Sequence, residues 1–146
     1  MITDALLMFS DKQDMTSAAA NAATDSANII DFAQQWDGGV THLNVFAKWS
    51  NLPISATSGA TVDVKVQVST DAATWETLEQ FPGIAIADAT TENPFLVRAR
   101  LAVNGSAWRY AKLVYTPSAA LTAGTITAGI NLTAPARHAY PRNYVA

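Results

Sequence analysis

Val62, Val64, Val66 and Val68 alternate with Asp63, Lys65 and Gln67, the two-residue period of a strand with one face buried and one wet. The run Ser69–Thr74 predicts a turn, being rich in residues that bend or cap a backbone. Beyond it Trp75, Thr77 and Glu79 share one face and Glu76 and Leu78 the other, on to Phe81. Pro82-Gly83 is expected to end that strand, because proline cannot donate to a ladder. Further along, Leu43, Val45, Ala47 and Trp49 alternate with His42, Asn44, Phe46 and Lys48, after an Asp37-Gly38-Gly39 turn. Phe95, Val97, Ala99 and Leu101 alternate with Leu96, Arg98, Arg100 and Ala102. Asn104-Gly105 then gives a tight hairpin signal, both central positions favouring positive φ. Trp108, Tyr110, Lys112 and Val114 alternate with Arg109, Ala111, Leu113 and Tyr115, and Ile126, Ala128, Ile130 and Leu132 share one side of the last run. Residues 28–32 and 84–87 read as two short strands.

About eight strands result, with every proline between them or in the tail, and no long amphipathic helix. Leu52-Pro53 and Ser58-Gly59 bracket a loop. Such spacing predicts an all-β chain: a two-sheet antiparallel β-sandwich, a jelly roll, over residues 28–133. Two segments fall outside that pattern. Residues 1–27 open on an apolar knot, in which Ile2, Leu6 and Phe9 fit one helical face, and pass into a low-complexity Ala/Thr/Ser run. Residues 134–146 are held extended by two prolines and carry Arg137, Tyr140, Arg142 and Tyr144. Both read as extended arms, and ends rich in Leu, Phe and Tyr are expected to dock on a neighbouring subunit or partner, with packing on the chain's own sandwich as the alternative.

At 146 residues the chain has room for one domain with a core but not two ordinary ones. Charged residues make up 14%, against roughly 25% in an average globular protein, and 28 residues are alanine. A surface so poor in charge suits broad contact with other protein. The absence of cysteine removes disulfides and thiolate chemistry. Asp4 stands where a secretory signal carries positive charge, and no run reaches the length of a membrane span. The expectation is a soluble chain that stays where it is made, with no membrane partner.

The net charge of -3 is unevenly spread. Residues 1–37 carry six acids against Lys12, and residues 38–94 carry six against Lys48 and Lys65. From Phe95 onward there is no acid, only Arg98, Arg100, Arg109, Lys112, Arg137 and Arg142. Two explanations stand: basic strands pairing with acidic ones in the same sheet, or a basic face or tail that meets an acidic partner. Six scattered charges without a binding motif do not make a nucleic-acid site.

Catalytic chemistry is not legible. His42 and His138 lack metal-spaced companions. Glu76 and Glu79, three apart on a strand, are expected on opposite faces, and Asp11 and Asp14 read as solvated. Nucleophile-elbow, phosphate-loop and dinucleotide patterns are absent. The expectation is no enzyme, no cofactor and no metal. Asn104-Gly105-Ser106 and Asn131-Leu132-Thr133 match the glycosylation pattern, the first better read as a turn and the second as a strand end. Trp36, Trp49, Trp75 and Trp108 are the large anchors. The Ser69–Trp75 turn resembles one found in galactose-binding-like jelly-roll modules. A carbohydrate-binding reading needs at least two of Trp49, Trp75 and Trp108 exposed on one face.

Leu7, Phe9, Ser10, Asp11 and Gln13, followed by Ser26, Asn28, Ile30 and Asp31, resemble the opening of the small cement (decoration) proteins of tailed-bacteriophage capsids. Pro141, Arg142 and Tyr144 are similar to that family's extended C-terminus. The resemblance implies a jelly roll on the capsid exterior, made in the host cytoplasm and carried on the virion, that clamps adjacent major capsid subunits. It also implies self-association, a dimer before a trimer. Partner-binding residues are then expected at Leu6, Leu7 and Phe9 in the N-terminal arm, and at Arg137, Tyr140, Arg142 and Tyr144 in the tail. The compact Asp37-Gly38-Gly39 turn departs from the longer insertion of relatives. A carbohydrate-binding module, or another virion part such as a tail component, is the alternative.

Overall fold

The valine alternation lies at the centre of the fold. In the computed structural model, which describes residues 5–32, 42–90, 92, 94–102 and 108–131, Val62, Val64, Val66 and Val68 are all buried in one core. Each such burial is worth about 1.5–3 kcal/mol against exposure. The strands are β1 (Met8–Asp14), β2 (Thr24–Asp25), β3 (Ile30–Asp31), β4 (His42–Ser55), β5 (Thr61–Ser69), β6 (Glu76–Ala85), β7 (Phe95–Ala102), β8 (Tyr110–Pro117) and β9 (Leu121–Asn131). They form two antiparallel sheets, in the order β1-β9-β4-β7 and β2-β8-β5-β6, with β3 also on β8. The chain is an all-β two-sheet sandwich, as its periodicity predicts. Phe9, Val45, Ala47, Trp49, Ile126 and Ala128 from one sheet meet Leu113, Tyr115 and the valines of β5 from the other.

Three expectations are corrected. Pro82-Gly83 does not end β6, which runs on to Ala85 and takes in residues expected to form a separate short strand. Two register shifts, opposite Val66/Gln67 and Val62/Val64, each insert one residue. They place Leu78, Phe81 and Ile84 all against the core at steps of three, which strict alternation forbids. Gly83 takes φ +65 at the second bulge, and its N–H donates to Asp63 Oδ1 at 2.7 Å. Because β6 is an edge strand, the N–H that Pro82 lacks is not missed. Second, Pro53 sits inside β4, which continues past Leu52-Pro53 to Ser55 through irregular pairing with β9, and Pro117 closes β8.

The third correction concerns the N-terminus. Strands before residue 28 belong to the sandwich and not to an arm outside it, since β1 pairs with β9 and β2 pairs with β8, as β3 does. Register shifts between Met8 and Gln13, with Lys12 at φ +51, scramble the alternation by which β1 would have been read as a strand. Asp37-Gly38-Gly39, Asn104-Gly105 and residues 134–146 lie outside the described residues. No helix among the described residues is long and apolar enough to cross a membrane.

Candidate docking surface at the N-terminal seam

One side of the sandwich is closed by the residues singled out in the N-terminal third. Ser10, fully buried on β1, donates from Oγ to Gln13 Oε1 at 2.7 Å. Its hydrogen is thereby used, so the Tyr115 hydroxyl, 3.0 Å away, donates to it. Burial pushes the Tyr115 phenol well above its ordinary range. Gln13 Oε1 also accepts the Ala27 N–H at 2.8 Å, while Nε2 donates to the Asp25 carbonyl at 2.9 Å. Asn28 returns to β1, donating its N–H to the Phe9 carbonyl at 2.9 Å and Nδ2 to the Met8 carbonyl at 3.3 Å. Ser26 Oγ donates to the Asn28 carbonyl and accepts the Leu113 N–H, at 2.9 and 3.1 Å. Ile30 is buried in the core. Asp31 holds Arg109 through two bonds of 2.8 Å.

These contacts tie β1, on the four-stranded sheet, to β2, β3 and β8 on the other. Strand pairing alone could not make that closure, because the two sheets share no ladder. No buried side-chain nitrogen or oxygen among the described residues lacks a partner, so hydrogen bonds offset the cost of burying the clasp's polar groups.

The basic strand β8 meets acids across its own sheet. Besides Asp31–Arg109, Lys112 Nζ lies 2.8 Å from Asp25 Oδ2 and 4.6 Å from the Trp75 ring centroid. For Arg109 and Lys112 pairing within the sheet therefore accounts for the charge. Arg98 and Arg100 on β7 remain exposed, with Arg100 Nη2 3.4 Å from His42 Nδ1.

Above the clasp the chain turns out over the four-stranded sheet. A 3-10 turn, Ala5–Leu7, leads into β1, and its approach depends on a missing side chain. A Cβ on Gly129 would stand 2.7 Å from the Leu7 carbonyl oxygen, 3.0 Å from Met8 Sδ and 3.3 Å from Phe46 Cε1. Gly129 pairs with both Met8 and Phe46, so all three lie on the outer face. Phe46 is fully buried there yet outside the core between the sheets.

The expected N-terminal partner residues separate. Phe9 is 0% exposed, a core residue and not a docking anchor. Leu7 packs in part against the core. Leu6 is 83% exposed. Ile29, 50% exposed, follows Asn28 at the same end of the seam. Arg137, Tyr140, Arg142 and Tyr144 lie outside the described residues. Asp11 is exposed.

The family model for Bbp16 matches residues 9–130. The chain belongs to the Bbp16 family. The Bbp16 match begins at Phe9, inside β1, and stops at Ile130, one residue before β9 ends. It therefore covers the clasped body and leaves Leu6 and the tail on either side. No curated protein matches the chain.

Other candidate chemistry stays dispersed. Glu76 and Glu79 are both exposed on β6, and no three His, Asp or Glu side chains gather among the described residues to hold a metal. Trp49 is a core residue, Trp108 packs against the core, and the Trp75 ring is met by Lys112. Trp36 lies outside the described residues. What the geometry offers is a clasped two-sheet body with an exposed leucine, Leu6, on a turn that approaches Gly129 closely.

Proposed function

We propose that the protein decorates the outer surface of a bacteriophage head and clamps adjacent major capsid subunits, so stabilising the shell. One observation carries the reading. Leu6 is held out, 83% exposed, on a turn seated against the sheet through Gly129, at the end of a seam built from the residues that resemble the cement proteins. An exposed leucine on a mobile end would lose ordering entropy on docking, whereas one on a fixed turn has already lost it. The tail supplies the second contact, with Tyr140 and Tyr144 as aromatic anchors and Arg137 and Arg142 as charge-assisted donors. A ligand that binds only the assembled shell opposes its disassembly by mass action, and a lattice of sites holds many weak copies at high effective concentration.

The test is to mix the purified protein with bare expanded capsids of the phage that encodes it and to image them by cryo-electron microscopy. Density outside the shell and a higher disassembly temperature are expected. Capsids that stay bare at saturating protein overturn the proposal. A chain lacking residues 134–146 should keep the far-ultraviolet circular dichroism of a folded sandwich and fail to decorate. Undiminished decoration by it removes the tail from the mechanism.

A further inference from the structure

The two outer faces of the sandwich differ in charge. Strands β4, β7 and β9 of the four-stranded sheet contain no acid, and carry Lys48, Arg98 and Arg100 together with His42. The strands of the other sheet hold Asp25, Asp31, Asp63, Glu76 and Glu79 against Lys65 and Lys112. A chain of net charge -3 thus has one basic three-strand face. The register puts these cations on its outer side. Arg98 pairs with Phe46 and Arg100 with Asn44, in step with His42 and Lys48 and out of step with the buried Leu43, Val45 and Ala47. Arg98 and Arg100 are both exposed. From His42 to Lys48 the strip is about 20 Å long, at roughly 3.3 Å per residue. Glu92, before β7 begins, and Asp11, on β1 two strands from β4, stand outside it.

We infer that this is the face the protein lays on the capsid, and that the capsid surface it meets is a cluster of carboxylates. The inference rests on the decorating role proposed above, and adds which face docks and what chemistry receives it. The turn that carries Leu6 comes down on the same side. Gly129, which that turn approaches, pairs with Phe46, which pairs with Arg98, so the cations begin two strands, about 10 Å, from it. An apolar anchor beside charged groups is the make-up of a docking surface with a core and a polar rim. Arginine forks suit carboxylates, which accept two parallel hydrogen bonds. The acids of the opposite sheet oppose the reverse orientation, because they would meet like charge. A nucleic acid fits less well. A duplex carries one charge per roughly 1.7 Å, and Phe46, at the centre of the strip, is fully buried and closed to a stacking base.

Cosedimentation of the full chain with bare expanded capsids tests this, with circular dichroism confirming that each variant is folded. Wild-type binding should be tight in low salt and weaken at least tenfold in about 1 M NaCl, where the screening length falls to about 3 Å. Arg98→Glu and Arg100→Glu should each weaken low-salt binding about tenfold or more, and the variant carrying both should lose most of the salt dependence. Lys65→Glu, on the outer side of the other sheet, should bind as wild type does. Wild-type protein that decorates with an affinity indifferent to both arginine reversals overturns the inference and leaves the decorating role standing. So does a loss in Lys65→Glu equal to theirs. Wild-type protein that leaves capsids bare overturns the decorating role itself, and the inference with it. A short DNA duplex bound as tightly as the capsid, and released by the same reversals, would overturn the assignment to carboxylates.

Discussion

Removing either partner of the Ser10–Tyr115 hydrogen bond should not cost the same. In Ser10→Ala the Tyr115 hydroxyl stays in place, fully buried between the sheets, with its 3.0 Å acceptor gone. A buried hydroxyl with no partner bears most of its desolvation penalty, about 2 kcal/mol within a range of 1–3. In Tyr115→Phe the hydroxyl leaves, and Ser10 still donates to Gln13 at 2.7 Å. The loss is then that of an ordinary hydrogen bond, about 1 kcal/mol. The double variant has no orphaned donor and should fall close to Tyr115→Phe, a coupling of about 2 kcal/mol between the two sites. Urea unfolding of the four proteins at one temperature gives these differences, provided the denaturant slope stays constant. Equal single costs that sum in the double variant would refute the donor assignment and, with it, the claim that β1 is fastened across the sandwich by this network.

Two further outcomes follow from neighbouring sites. Gly129→Ala sets a methyl 2.7 Å from the Leu7 carbonyl oxygen; the turn should lift rather than β9 bend, so amide exchange at residues 5–8 should quicken while stability falls by about 1–3 kcal/mol, and unchanged exchange there would show that the turn does not rest on Gly129. Asp71 is held down to about 2 by the Thr74 and Ala73 N–H groups and the Ser69 hydroxyl; its folded value lies below its unfolded one, so its contribution is complete above about pH 4 and is lost as pH falls toward 2. Asp71→Ala should therefore flatten the acid limb of a stability-against-pH curve over that window, and an unaltered limb would contradict the turn geometry.

The parts of the fold that periodicity discloses are those where alternation runs unbroken. β5 alternates through four valines, and the pattern also places Phe46 on the outward face with Asn44 and Lys48, where it lies beside Gly129. Bulges are where the pattern fails. In β6 they convert a period of two into steps of three, and the Pro82-Gly83 pair that marks the second bulge is also the usual signature of a strand's end. In β1 the inserted residues leave Phe9 and Ser10, adjacent in sequence, both fully buried, a combination that strict strand alternation does not predict. The apolar residues at this end suggested an arm. The polar ones carried the better signal, because Ser10, Gln13, Ser26 and Asn28 satisfy one another and backbone groups across two sheets.

The distinction between recognisable residues and docking residues bears on how a decorating protein could work. Under the proposed function, a pull on Leu6 by a bound shell would reach the body through the turn and then Phe9, whose ring is in the core. Were β1 held only by its ladder to β9, it would be an edge strand free to peel from one end, and Leu6 would yield under load. The clasp changes the load path. Asn28 grips the Met8 and Phe9 carbonyls, Gln13 grips the Asp25–Ala27 backbone, and Ser10 reaches Tyr115 on the opposite sheet. Displacing β1 therefore means breaking bonds to both sheets together, and cooperative rupture of many contacts is what makes an anchor stiff. If the proposed function holds, residues of the motif would in this way be indispensable to adhesion without themselves forming the docking surface.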